Sequence, residues 1–202
     1  TLPSLLELLA HTPDINRDAL ADYLQLQCVP GDESILQGVS KLAPGHRIEV
    51  TESSSRITRY WRPPFGQPAS LSYRECLQQA ESLIDRAVRR RLIADVRLGA
   101  FLSGGVDSSL VTALAARASG RRFTTVSAGF DDKSVDELRW ARMVAEALGT
   151  DHHEVLVQPN ATSELPRLVF AAGEPLADPA LLPLMLLSRS AREHMTVVLT
   201  GD

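Results

Sequence analysis

A run of small and polar residues, Ser103-Gly104-Gly105-Val106-Asp107-Ser108-Ser109, lies between a short apolar stretch at 96–102 and a helical stretch expected over 107–118. No other feature constrains the fold as much. An apolar run of strand length, a two-glycine turn and then helical spacing is how a βα unit begins. The glycines lack side chains, so backbone N–H groups can approach a ligand closely and adopt angles that other residues resist. The helix expected from Asp107 offers unpaired N–H groups and the positive end of its dipole. Such a terminus is a ready anion site. Ser103, Ser108 and Ser109 add hydroxyl donors, and Asp107 can hold a magnesium ion between itself and phosphate oxygens. Together these describe a phosphate cradle. It is not one of the two commonest, because the loop has neither the lysine of GxxxxGK[ST] nor the GxGxxG spacing.

The surrounding pattern predicts an α/β fold. Helical spacing runs through 71–92, and strands are expected at 123–128, 153–157 and 197–200. Helices are expected at 135–148, 163–172 and 184–194, the first started by a Ser134/Glu137 capping box and stopped at Gly149. Strands alternating with helices imply a parallel sheet, whose ligands bind beyond the carboxyl ends of the strands. That rule singles out 102–109, 128–130 and 200–202. Upstream, Pro63-Pro64-Phe65-Gly66-Gln67-Pro68 marks a linker. Before it come two short helices (5–9 and 18–27), a Pro44-Gly45 turn, and strands at 46–50 and 57–61.

Charge and composition narrow the function classes. A formal net charge of −4 gives no general attraction to nucleic acid, and Arg89, Arg90 and Arg91 read as a solvated helix end. Cys28 and Cys76 form no framework and are expected to be reduced and mostly buried. No apolar run is long enough to span a membrane, and the leucine-rich start contains Glu7 without a basic leader. The expected compartment is cytoplasmic.

Phe101-Leu102-Ser103-Gly104-Gly105-Val106-Asp107-Ser108-Ser109 resembles the PP-loop of the ATP-pyrophosphatase superfamily. Further segments resemble the glutamine-hydrolysing asparagine synthetase family in order and spacing. Val126-Ser127-Ala128-Gly129-Phe130 is similar to that family's second strand end, and Leu148-Gly149-Thr150-Asp151-His152-His153-Glu154 to its LGTxHHE segment. Glu174-Pro175-Leu176-Ala177-Asp178-Pro179 with Pro183 matches EPxADP…P, and Val198-Leu199-Thr200-Gly201-Asp202 matches VLSGD. Tyr23-Leu24, Val29-Pro30, Lys41-Leu42-Ala43-Pro44-Gly45-His46 and Arg59-Tyr60-Trp61 resemble the end of the family's glutaminase domain.

The resemblance implies a PP-loop domain at 71–202, a 63–70 linker and the remnant of a glutaminase (class II amidotransferase) domain at 1–62. It implies ATP and Mg2+ as cofactors, and a ligase of asparagine biosynthesis that adenylates a carboxylate, aspartate first, and amidates it with glutamine-derived ammonia. No nucleic acid or membrane partner is implied, and a homo-oligomer is compatible with it. Leu102, Ala128, Thr200 and Gly201 match positions that contact AMP or ATP. Ser103, Gly104, Gly105, Val106, Asp107 and Ser108 match the pyrophosphate cradle, with Asp107 as the metal ligand. Asp202 matches an acidic position associated with the reacting intermediate, while His152 and His153 read as packing and hydrogen-bonding residues. The family's N-terminal cysteine is not matched by Thr1, and Asp202 stops short of the complete loop. A piece of a longer protein, inactive by itself, is therefore expected. Relatives that close β-lactam or peptide macrolactam rings, and a non-catalytic nucleotide-binding fragment, are the alternatives.

Overall fold

Helix ends in the first part of the chain are set by individual residues. The structure is a computed structural model that describes residues 2–66, 70–130, 137–157 and 163–201. The chain divides into two compact units, Thr1–Ala69 with Thr162–Pro179, and Ser70–Ala161 with Ala180–Asp202. In the first, α1 (Leu2–Leu8) precedes α2 (Arg17–Leu26). The Asn16 side chain caps α2 by accepting from the N–H groups of Asp18 and Ala19. Gln27 ends it in the left-handed region, its N–H donating to Tyr23 O. Strands β1 (His46–Val50) and β2 (Ser55–Arg59) form an antiparallel hairpin with His46 opposite Arg59. Helix α6 (Leu165–Ala172) belongs to this unit, and the segment after it is tied back by Ala177 N–H to Gln27 O at 2.8 Å. Lys41 adds bonds to Val29 O at 2.6 Å and Glu174 Oε2 at 3.4 Å.

The second unit is a parallel α/β sheet. Its elements are α3 (Tyr73–Arg91), β3 (Leu98–Phe101), α4 (Val106–Ser119), β4 (Thr124–Phe130), α5 (Leu138–Leu148), β5 (Asp151–Val157), α7 (Leu181–Ala191) and β6 (Val197–Leu199). The strand order is β5-β4-β3-β6, with all neighbours parallel. One face buries Leu98, Ala100 and Leu199 against Leu114 and Ala115 of α4 and Val88 of α3. The other buries Val126 against Leu187, Ala191 and Met195 of the α7 region. Both faces are covered, which is why these strands read as apolar runs rather than alternating ones.

Two expectations need correction. Helix α5 starts at Leu138 with Glu137 as its N-cap and no side-chain capping bond; Ser134, half of the expected capping box, lies outside the described residues. Among the described residues a capping box is formed at α3, where Glu75 N–H donates to Ser72 Oγ and Ser72 N–H to Glu75 Oε2. Those bonds, the Ser72 hydroxyl's first, hold the Glu75 carboxyl below its ordinary range. The cysteines are free, but Cys76 is exposed and Cys28 only half-buried. The reason for Cys76 is positional: α3 contributes to the core through Ile84, Val88 and Leu92 near its other end. Arg89, Arg90 and Arg91 are the exposed last turn of α3, as expected, and their charge opposes the negative end of the helix dipole. Among the described residues, no helix is long and apolar enough to cross a membrane.

Candidate functional site

The order β5-β4-β3-β6 fixes where a crevice opens. From β3 the chain proceeds to β4 and β5 on one side, then returns to place β6 on the other. Loops leaving β3 and β6 therefore diverge, and the gap between them at the carboxyl ends is where such sheets bind ligands. A cavity of about 320 Å³ lies there. It is lined by Ser103, Gly105, Val106, Asp107 and Ser108 of the β3–α4 loop and first turn, by Ala128 on β4, and by Thr200 and Gly201 after β6. Phe101, Pro183, Leu184 and Leu187 complete an apolar side.

Hydrogen bonds hold the loop open. Ser103 N–H donates to Ser108 Oγ at 3.3 Å, the two hydroxyls lie 2.8 Å apart, and Gly105 N–H donates to Ser103 Oγ at 3.2 Å. The first helical bond of α4 runs from Ser109 N–H to Gly105 O at 3.0 Å. The N–H groups of Val106, Asp107 and Ser108 precede it, so they have no acceptor within the helix. Gly105, the N-cap, has no side chain to supply one. Val106, Asp107 and Ser108, whose N–H groups lack helical acceptors, all line the cavity at the positive end of the helix dipole. This is the arrangement an anion requires.

The two glycines have different jobs. Gly104 sits at φ +83°, and a β-carbon there would lie 2.5 Å from Trp140 Cβ and 2.6 Å from Ala141 N on α5. Gly105 has φ −69°, which any residue adopts, and a β-carbon would meet only Ser103 Oγ at 3.3 Å. Gly104 lets the loop turn against α5; Gly105 keeps the cavity clear. Gly201 is a third close approach, since a β-carbon there would lie 2.6 Å from Ser108 N. The end of β6 and the tip of α4 therefore meet backbone to backbone.

Several expected residues take other places. The Leu102 side chain is buried with Ala141 and Ala145, its N–H donates to Val126 O, and its carbonyl accepts from the buried Ser127 hydroxyl. Leu102 thus anchors the loop from the core and is not among the residues that line the cavity. The Ser109 hydroxyl, expected as a ligand donor, is buried on the helix with no hydrogen-bond partner and does not line the cavity. The Ser108 hydroxyl is engaged within the loop. Asp107 is exposed at the rim, and Asp202 lies outside the described residues. Ser127 and the apolar wall at Phe101, Leu184 and Leu187 were not singled out from sequence. A serine inside an otherwise apolar strand end was the available signal for the first.

His152 and His153 occupy the far end of β5. His152 Nδ1 lies 2.9 Å from Thr125 Oγ1, which lies 2.9 Å from Thr150 Oγ1. Burial pushes the His152 imidazole down, partly opposed by Glu154. Glu154 makes two bonds to Arg142, at 2.6 and 2.7 Å, which hold its carboxyl below the ordinary range. His153 stacks on His194 with ring centroids 3.7 Å apart. Among the described residues no three His, Cys, Asp or Glu side chains group as a metal site. Among the described residues Asp107 is the carboxylate in the cavity lining that could hold a magnesium ion, which takes one or two carboxylates and completes its shell from phosphate oxygens and water.

Comparisons with known proteins agree along the chain. The asparagine synthase family model matches residues 79–202, and a glutamine amidotransferase domain model matches residues 1–61. The chain is 36% identical, over its full length, to a Mycobacterium bovis protein provisionally named asparagine synthetase (glutamine-hydrolysing), covering 31% of that protein. It is 30% identical over 94% of its length to asparagine synthetase (glutamine-hydrolysing) 1 of Bacillus subtilis, covering 30% of it. The chain therefore spans somewhat under a third of the length of the curated relatives it matches. Among solved structures, NMN synthetase from Francisella tularensis is 21% identical over 66% of this chain and 56% of its own, with a TM-score of 0.42.

Proposed function

The chain belongs to the asparagine synthase family, and from that premise we propose that it carries the ATP-cleaving loop of a glutamine-dependent enzyme that amidates a carboxylate, with aspartate as the acceptor. The observation that supports this most is that Val106, Asp107 and Ser108, the first turn of α4 before its first helical bond, line the cavity between the ends of β3 and β6. Residues 71–202 begin the ATP-dependent domain, 63–70 link, and 1–62 close a glutaminase domain. The compact-unit division counts 162–179 with the first unit.

The chemistry follows from where charge must go. A carboxylate oxygen attacks the α-phosphorus of ATP, the bond from that phosphorus to the bridging oxygen breaks, and pyrophosphate leaves. Ammonia then displaces AMP from the acyl-adenylate, releasing a proton and forming the amide. The amides at the tip of α4 and the Ser103 hydroxyl stabilise charge on the departing pyrophosphate, and fixed donors of this kind need no reorganisation during the step. Asp107 would hold magnesium, which supplies further charge neutralisation when bound. Ala128 leaves room beside β4 for a flat base, with Phe101 and Leu187 as apolar neighbours. Thr200 and Gly201 close the opposite side, and Asp202 acts at the reacting intermediate.

The test is product identity. The full-length enzyme, given ATP, magnesium, aspartate and glutamine, should yield AMP, pyrophosphate and asparagine in equal amounts. ADP and phosphate in their place would overturn the assignment of the loop. Appearance of AMP and pyrophosphate only with another carboxylate, or with an internal amine, would leave the loop standing and remove aspartate.

A further inference from the structure

A second polar cavity lies at the opposite, amino end of the same sheet. It has a volume of about 300 Å³ and is lined by Arg97, Leu98, Arg121, Arg122, Thr124, Asp151, His153 and His194. The three arginines come from the segments that lead into β3 and β4. None has a carboxylate within ion-pair distance among the described residues. Arg122 Nη2 donates to Thr150 O at 3.4 Å. The single carboxylate in the lining, Asp151, has His153 Nε2 3.3 Å from its Oδ2. His153 in turn stacks on His194 at 3.7 Å, which fixes both imidazoles as one wall.

Three exposed arginines line one small cavity, in a chain of net charge −4, with Asp151 as the one carboxylate of that lining. Like charges gathered in one place repel, and an anion between them removes that cost. We propose that this cavity is an anion site for a small phosphoanion, pyrophosphate or a phosphate monoester, separate from the β3–α4 loop. Arg donors form forks that pair with phosphate oxygens two at a time. Three such forks suit a tetrahedral, multiply charged group, whereas one carboxylate would engage only one of them. The cavity sits at the low end of the size range for small-molecule sites, too small for a whole nucleotide. Its place at the amino ends of the strands removes it from the crevice where the chemistry is proposed, so occupancy here would regulate or stabilise instead of react.

The five histidines make the site readable. In the full chain, in magnesium-free buffer at fixed salt, inorganic pyrophosphate is titrated while the imidazole ¹H–¹⁵N signals are followed. Signals of His153 and His194 should move saturably with a midpoint of about 1 mM or below, while those of His11 and His46 stay in place. Arg97→Gln/Arg121→Gln should raise the midpoint about tenfold or more, the loss expected when charge-assisted bonds are removed. Should the double variant lose its fold, Arg121→Gln alone serves, since that side chain is exposed. Asp107→Ala, which alters the loop, should leave the His153 and His194 midpoint unchanged. No saturable movement below about 10 mM, equal movement of all histidines, or an unchanged midpoint in the arginine variants would overturn the proposal.

Discussion

Asp107→Ala in the full-length enzyme is expected to lower ATP-dependent pyrophosphate formation by about a thousandfold, the scale of losing a charge-stabilising group at the departing phosphates. Asp107 occupies the first turn of α4, exposed at the rim of the crevice. It makes no hydrogen bond or ion pair among the described residues, so its removal takes away little that holds the fold. The stability cost is limited to its favourable position at the helix dipole, about 0.3–1 kcal/mol. Melting temperature should therefore fall by no more than about 4 °C. Glutamine hydrolysis, assigned to the other domain, is the internal control. Asp107→Asn keeps the shape and removes the charge, and should lose pyrophosphate formation to a similar degree. An undiminished rate in either variant would remove Asp107 from the mechanism.

Gly104→Ala should have the largest effect on stability of any single methyl added in the loop. At φ +83° an alanine is strained by about 1–2 kcal/mol. Its β-carbon would also stand 2.5 Å from Trp140 Cβ and 2.6 Å from Ala141 N, and such overpacking costs about 1–3 kcal/mol. Because Ala141 N is backbone, relief requires α5 to move. The combined loss of about 2–5 kcal/mol corresponds to a melting temperature roughly 10 °C lower. Gly105→Ala is the contrasting case. Its backbone conformation is ordinary and the nearest atom is a hydroxyl 3.3 Å away, so stability should change by less than about 1 kcal/mol. The new methyl would enter the cavity, and nucleotide affinity should fall while the melting temperature holds. If the two variants melted alike, the division of labour between the glycines would be wrong.

That division marks the limit of what was legible in the sequence. The alternation of strands and helices is written in apolar runs and helical spacing, and the positions of β3, α4 and β4 follow from them to within a few residues. The turn from strand through two glycines to helix tip is legible because its parts are contiguous. Features that depend on distant chain segments are not. Nothing near Gly104 says that α5 will pack on it, and nothing near Gly201 says that α4 will lie against it. Leu102 looks like a ligand neighbour in the motif, yet its side chain joins Ala141 and Ala145, forty residues on in the chain, because β3 alternates faces. The start of α5 was misjudged for a different reason: Ser and Glu at capping-box spacing are common, and the helix begins at Leu138 and not at 135. The arginine cavity was invisible because its three cations are spread over 97–122 and meet only when β3 and β4 pair.

The most direct measurement follows the backbone N–H signals of Gly105, Val106, Asp107 and Ser108 in ¹⁵N-labelled chain during titration with a magnesium complex of a non-hydrolysable ATP analogue. If these amides grip phosphate, the signals of Val106, Asp107 and Ser108 should shift saturably and together, while those of Gly120 and Gly149 at distant helix ends stay fixed. Stationary signals at 106–108 under nucleotide that binds elsewhere, or no binding at all, would contradict the account.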